Sequence, residues 1–278
     1  MPRFLFLVES DSGSPLGAGA GRRAVRSERS AFEKKPWKDL PTLRGTVERR
    51  FLRPLYQGDS ILPFRCLQPH QAVIPWDESA KRLLHGDDER LDLYPGLAKW
   101  WRNADEVWNQ KRSSERLSLI EQLDYRRKLS RQFPAAGYRT VYTKSGMYLA
   151  AAVIFDTTAL IDQQLYWSQV PTLDEARFLT AILNSTVITL AVRPLQARGQ
   201  HNPRDFAKYI FQLPIPQYDS GDPLHKQLAV LAERSERISA RVALSDIRFE
   251  ALRRRVRQAL VDDGVVADID AIVKTLLV

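Results

Sequence analysis

The chain has 278 residues, of which 44% are hydrophobic, 27% charged and 9% aromatic; this supports a globular core and excludes composition-driven disorder over most of the length. Lys plus Arg number 42 against 33 Asp plus Glu, a net charge of +9, which points to a polyanionic partner, nucleic acid first. A single cysteine, Cys66, and four histidines exclude a disulfide framework and a Cys-clustered zinc site and leave little for any metal centre.

Residues 4–8 form an apolar run of strand length, followed by the Ser- and Gly-rich stretch 10–21; the whole of 1–31 is expected to be a flexible or truncated segment. Residues 22–53 carry eleven basic and four acidic side chains, a local +7. Over 47–74 the pattern is β: strands at 47–56, 61–67 and 72–74, a Gly58-Asp59 turn, and prolines at 54, 63, 69 and 75 that suit edges and irregular strands. Tyr94-Pro95 opens a helix with Leu97, Trp100 or Trp101, Ala104 and Val107 or Trp108 at three-to-four spacing. Ser118 and Glu121 form a capping box.

An antiparallel meander is predicted over 141–167, with turns at Lys144-Ser145-Gly146 and Asp156-Thr157. Thr172 and Glu175 form a second capping box, starting a helix that ends before Pro194. Asp222-Pro223 caps a further helix, and from Leu224 to Ala259 the apolar spacing alternates four and three, which predicts one long helix packed along another. Gly264 is its expected stop, and Asp268 the cap of a last short helix through Leu277. The expected fold class is α+β, antiparallel β blocks packed with helices and followed by a long C-terminal helix. The expected domains are 1–31, a recognition domain at 32–221 and a helical region at 222–278. No run approaches 18 apolar residues and residues 1–8 lack signal-peptide organisation, so a cytoplasmic protein without a membrane partner is expected.

No catalytic constellation is present. The glycines at 17, 19 and 21 lack a following amphipathic helix that would offer its N-terminus to a phosphate. Walker, Gly-x-Ser-x-Gly and His-Glu-x-x-His patterns are missing, and His70, His85, His201 and His225 lie in polar contexts that read as solvated or structural. Asp59 and Glu78 lack the Glu-x-Lys partner of a nuclease site. No catalytic, cofactor or metal residue is assigned.

Affinity for DNA comes from cations on phosphates, and sequence is read by Arg, Lys, Asn and Gln on base edges. Residues 193–204 concentrate Arg193, Gln196, Arg198, Gly199, Gln200, Asn202 and Arg204, and Gly and Pro let such a loop approach a duplex. With Lys208, with Lys144 and Ser145 of the turn, and with Arg49, Arg50 and Arg53 of the basic stretch, these are the candidate DNA-binding residues. The loop suits base edges and the basic stretch suits backbone attraction; ordinary solvated surface is the alternative for each. The arginines at 234, 237, 241, 248, 253, 254, 255 and 257 read as helix flanks paired with Glu233, Glu236 and Glu250.

Several short blocks occur in a familiar order: Lys35-Pro36-Trp37, Gly58-Asp59, Val73-Ile74-Pro75, Tyr125-Arg126, Val141 to Gly146, Ala150 to Ile154, Asp174 to Ser185, Gln196 to Arg204, Leu213-Pro214-Ile215-Pro216 and Asp222 to His225. From about residue 32 to 230 the chain resembles the C-terminal target-recognition region of adenine-specific (N6) DNA methyltransferases of restriction-modification and phage-defence systems. In that family a preceding Rossmann-like domain binds S-adenosylmethionine and holds a flipped adenine with an Asn-Pro-Pro-Tyr motif. Here Asn202-Pro203-Arg204-Asp205 lacks the second proline and the aromatic residue. The resemblance therefore implies a DNA-recognition piece that methylates nothing alone, with double-stranded DNA and a methyltransferase domain or subunit as partners and no S-adenosylmethionine site of its own. The alternatives are a specificity or assembly subunit that docks a methyltransferase or nuclease chain through its C-terminal helix, and an inactive split-gene fragment.

Overall fold

The computed structural model describes residues 3–12, 19, 21–30, 33–135, 137–196, 205–206, 208–244 and 248–277. Its strands are β1 (Leu7–Ser10), β2 (Arg22–Ser27), β3 (Arg44–Glu48), β4 (Leu52–Tyr56), β5 (Ile61–Leu62), β6 (Arg65–Cys66), β7 (His70–Val73), β8 (Trp76–Asp77), β9 (Arg82–Leu83), β10 (Tyr138–Thr143), β11 (Ala151–Ile154), β12 (Leu160–Ile161) and β13 (Leu165–Val170). The helices are α1 (Pro95–Lys111), α2 (Leu119–Leu123), α3 (Leu173–Asn184), α4 (Thr186–Val192), α5 (Pro223–Arg241), α6 (Phe249–Asp263) and α7 (Val265–Leu276), with short 3-10 turns between elements. Mixed sheets and helices make the fold α+β, as the sequence predicts. Among the described residues, no single helix is long and apolar enough to cross a membrane.

The chain divides into two units, Met1–Leu55 with His70–Ala135 and Thr158–Leu160, and Tyr56–Pro69 with Ala136–Thr157 and Ile161–Val278. The boundaries expected at 31/32 and 221/222 do not coincide with this division, because each unit draws on separated stretches of chain.

The first unit is built on an antiparallel sheet in the order β12-β4-β7-β1-β2-β3. β1 lies inside it, pairing Val8 with Ser27 of β2 and Leu7 with Ala72 of β7. Phe4, Leu5, Phe6, Leu7 and Val8 are all buried core, the run passing from a 3-10 turn at Arg3–Leu5 into β1, a strand inside the sheet; the expectation of a flexible segment fails for these residues. Strand β2 is polar in composition: Arg22 and Arg26 on one face alternate with inward Val25 and Ser27 on the other, the two-residue period of a half-buried strand. Gly21, at φ +84°, leads into β2 and not into a helix, so it offers no phosphate-binding helix start. Packed on the sheet is α1, with Leu97, Trp100, Trp101, Ala104 and Trp108 buried on one face. Its first turn is capped from β3: the Glu48 carboxylate accepts from Gly96 N at 2.9 Å and Leu97 N at 2.8 Å, satisfying donors that a helix start leaves free.

In the second unit β10 is the centre of a three-stranded sheet, flanked by β11 and β13. The predicted meander had its strands in sequential order; instead β13 returns to the free edge of β10. On this sheet lies α3, started by Thr172, which accepts from Glu175 N at 3.2 Å. The helix ends before Pro194 as predicted, but as two: α3 stops at Asn184, because Ser185 turns extended and caps α4 by accepting from Ile188 N. Buried Asn184 accepts from Ala151 N at 3.0 Å and donates to Ala151 O at 2.9 Å, standing in as a strand partner for β11.

The heptad stripe is real but is not one helix. α5 ends at Arg241, α6 begins at Phe249, and Gly264, left-handed at φ +88°, separates α6 from α7. Asp268 lies inside α7, not at its cap. Leu228, Leu231, Val256, Leu260, Ile269 and Val273 share one buried cluster with Phe178 and Ile182 of α3. Folding the stripe back on itself consumes the face that a continuous helix would have offered to a partner.

Candidate nucleic-acid interface

β10 ends at Thr143, and residues 144–149 make an excursion closed by Thr143 N donating to Ala150 O at 3.0 Å and Ala150 N to Thr143 Oγ1 at 3.4 Å. Gly146 has φ +153°, and a β-carbon there would stand 3.1 Å from Tyr148 O, so a side chain would strain the turn. Its tip presents Met147 and Tyr148, exposed by 49% and 37%. Lys144 and Ser145 are exposed beside them.

The structure brings several predicted residues to this turn. Phe206 N donates to Lys144 O at 2.7 Å, Ser145 bridges to Asp205, and the Gln196 side-chain amide donates to Asp205 O at 3.3 Å. Gln196 and Asp205 bracket the predicted loop, so both of its described ends are tied to the predicted turn. Arg193, in the 3-10 turn after α4, places its guanidinium carbon 5.8 Å from the Tyr148 ring centre. Lys208 follows two residues after Phe206 and is exposed. Arg198, Gly199, Gln200, Asn202 and Arg204 lie outside the described residues.

Sequence reasoning missed the other wall. Arg253 and Arg257 of α6 are four residues apart and share a face turned inward. The Arg257 guanidinium carbon sits 3.8 Å from the Tyr148 ring centre, within cation–π range, and Arg257 Nη2 donates to Thr186 Oγ1 at 2.9 Å. Arg253 Nε donates to Ile61 O at 2.9 Å and Nη2 to Gly58 O. Burial pushes the Arg253 guanidinium down to about 10, against the pull of Glu250 and Asp59, and lowers Arg257 against Tyr148 and Asp270; both stay charged at neutral pH. A cleft of about 600 Å³ opens between the turn and α6, lined by Pro63, Gly146, Met147, Tyr148, Leu149 and Ala150 on one side and by Glu250, Arg253, Arg254, Arg257, Gln258 and Val261 on the other. Among the described residues, none of Lys144, Arg193, Arg253, Arg254 and Arg257 forms an ion pair. Glu233 and Glu236, expected to neutralise helix flanks, are bound instead by Arg177, with Arg237 also on Glu233.

The first unit treats its basic residues differently. Arg22 pairs with Glu48 at 3.0 Å, Arg26 with Glu9 at 2.8 Å, Arg29 with Glu33 at 2.8 Å, Arg44 with Asp11 at 2.8 Å and Arg53 with Glu78 at 3.0 Å. Arg49 and Arg50 are exposed in the turn between β3 and β4, and Arg50 stands about 5 Å from its aromatic neighbours, 5.5 Å from the Phe51 centre and 5.3 Å from Tyr94. Three of these carboxylates, Glu9, Asp11 and Glu78, lie outside the 22–53 stretch and offset part of its +7.

Among the described residues, no group of three or more His, Cys, Asp or Glu is arranged to hold a metal ion. His70 Nδ1 is 2.7 Å from a Glu28 oxygen, and buried His225 accepts from Asp219 N at 2.9 Å against Phe178 and Tyr218, both structural placements. His201 lies outside the described residues.

No protein-family model matches the chain, and no curated protein matches it. Among solved structures it is similar to the type IIG restriction endonuclease BpuSI, at 15% identity and a TM-score of 0.40, over 94% of this chain and 30% of that one. The chain thus spans about a third of that protein's length.

Proposed function

We propose that this chain is a sequence-specific DNA-recognition module of an adenine-specific methyltransferase of restriction-modification type, positioning duplex DNA for a catalytic domain that binds S-adenosylmethionine. One observation supports the reading: Arg193 and Arg257 both lie by the exposed Tyr148 of the predicted turn, and among the described residues neither they nor Lys144, Arg253 and Arg254 form an ion pair. Cations free of carboxylates attract phosphates, and the Arg, Gln and Asn residues that the sequence concentrates at 193–204 are of the types that read base edges. Arg49 and Arg50 add backbone attraction from the first unit; Arg53, engaged by Glu78, contributes less.

Fluorescence anisotropy on labelled duplexes tests this. With about six phosphates neutralised, log K falls against log salt with a slope near −5. No binding at about 50 mM salt, or a flat dependence, overturns the reading. Titration calorimetry with S-adenosylmethionine should show no micromolar binding to the isolated chain; a clear isotherm would assign the cofactor here.

A further inference from the structure

We infer that residues 125–128 of the first unit, with Arg131, form a second contact for the DNA backbone, separate from the cleft beside Tyr148. The inference rests on the DNA reading above and adds to it a site on the other unit. Tyr125, Arg126, Arg127, Lys128 and Arg131 are all exposed. Unlike Arg22, Arg26, Arg29, Arg44 and Arg53, the three arginines here enter no ion pair among the described residues. Two carboxylates lie close in sequence, and the backbone holds both. Glu121 accepts from Ser118 N at 2.7 Å, and Asp124 accepts from Leu129 N at 2.9 Å and Ser130 N at 2.8 Å.

The backbone supplies an independent observation. Arg126 and Arg127 both have φ +58°, in the left-handed region where a β-carbon crowds the following carbonyl oxygen. One left-handed residue after a helix is ordinary, and α2 ends at Leu123, but that position normally falls to Gly or Asn. Here two successive residues adopt it, each with a long cationic side chain. The surroundings hold them there: Arg127 N donates to Asp124 O at 2.7 Å, Leu129 and Gln132 are buried, and Gln132 Nε2 donates to Lys128 O at 2.9 Å. The Arg126 guanidinium carbon stands 5.3 Å from the Tyr125 ring centre, so that ring steadies a cation. Backbone strain kept at an exposed basic turn serves a surface that works, since no packing there requires arginine. A small anion is held by donors that converge in a recess, whereas a polyanion is held by cations spread along a surface. Four exposed cations within six residues are of the second kind, and they grip phosphates without reading bases.

The experiment replaces Arg126 and Arg127 together by Gly in the full chain. Fluorescence anisotropy follows labelled duplexes of two unrelated sequences over a salt series, with thermal unfolding alongside. Glycine adopts a left-handed backbone freely, so the unfolding midpoint should hold or rise. Affinity for both duplexes should nevertheless fall about ten-fold at low salt, and the salt slope should shrink by about two. Arg126→Lys with Arg127→Lys should restore the slope, because a phosphate contact needs the charge. A glycine variant with unchanged affinity and slope overturns the inference and leaves the DNA reading standing. So does a clear fall in its unfolding midpoint, which would assign the arginines to the fold, or a lysine variant that restores nothing. A wild-type chain that binds neither duplex overturns both.

Discussion

Two stretches of this chain are rich in arginine, and they do opposite things with it. In the first unit Arg22, Arg26, Arg29, Arg44 and Arg53 each meet a carboxylate within 3.0 Å. In the second, Arg253, Arg254 and Arg257 line a cleft together with Glu250, and Arg193 lies near the Tyr148 ring. The first stretch holds most of the formal excess charge, yet five of its arginines are held in ion pairs. Counting basic residues along the sequence measures composition; attraction for a polyanion depends on which cations the fold leaves unpaired.

The largest effect should come from testing that contrast directly. Replacing Lys144, Arg193 and Arg254 together by Ala removes three exposed cations from the second unit. Affinity for duplex DNA should fall on the order of a hundred-fold at low salt, and the salt slope should shrink by about three. Replacing Arg22, Arg26 and Arg44 by Gln removes the same formal charge from pairs, and should leave the slope unchanged. Equal losses from both triple variants would abolish the distinction between the two stretches.

Much of this was legible in the residues. The Ser118–Glu121 capping box, the Thr172 N-cap, the Pro95 and Asp222-Pro223 helix starts and the Lys144 turn follow from local chemistry, because a cap is decided within four residues. The cleft was not, since Arg253 and Arg257 acquire their role from Tyr148, Thr186 and Ile61, all distant in sequence. An i, i+4 pair of arginines adjoining buried Leu252 and Val256 was the available signal; on a heptad read as one long helix it fell among solvated flanks. The central position of β1 was equally hidden, because the sheet order is set by pairing with β7, over sixty residues away.

A second, smaller effect concerns stability in the first unit. Asp77 is 2% exposed and accepts from Ser79 N at 2.8 Å, Ser79 Oγ at 2.6 Å, Ala80 N at 3.1 Å and Arg90 Nε at 2.7 Å. Burial alone would raise its carboxyl, but these hydrogen bonds outweigh burial and hold it well below the usual carboxylate range. A depressed carboxyl stabilises the fold fully above its unfolded value of about 3.9, and the contribution is lost as pH falls from there towards the folded value. Thermal stability should therefore be level in this respect between pH 7 and 5 and decline below about 4. Asp77→Asn, which keeps the shape but breaks the charge-assisted bond to Arg90, should cost about 2 kcal/mol at pH 7 and flatten the acid decline. An unchanged acid limb would place the responsible carboxylates elsewhere. Loss of DNA affinity at temperatures where the variant remains folded would mean that the paired charges of this unit also serve binding.

The smallest effect probes a place where the contrast between the units blurs. Arg50 is exposed and stands over two rings, Phe51 and Tyr94, the arrangement that Arg257 has on Tyr148. Its rings differ in one respect: Phe51 is 1% exposed and belongs to the core, with half-buried Tyr94 packed against it, so the guanidinium covers the edge of the core. An exposed cation–π contact contributes roughly 0.5–1 kcal/mol. Arg50→Ala should thus lower the midpoint of thermal unfolding slightly, and should weaken matched and scrambled duplexes alike by no more than about three-fold, the share of one phosphate contact. Arg193→Ala, with a ring at the cleft and not in the core, should leave stability unchanged and cost more in affinity. If Arg50→Ala instead matches Arg193→Ala in affinity and discriminates between matched and scrambled sequences, the first unit reads DNA as well, and carboxylate pairing no longer separates the two stretches.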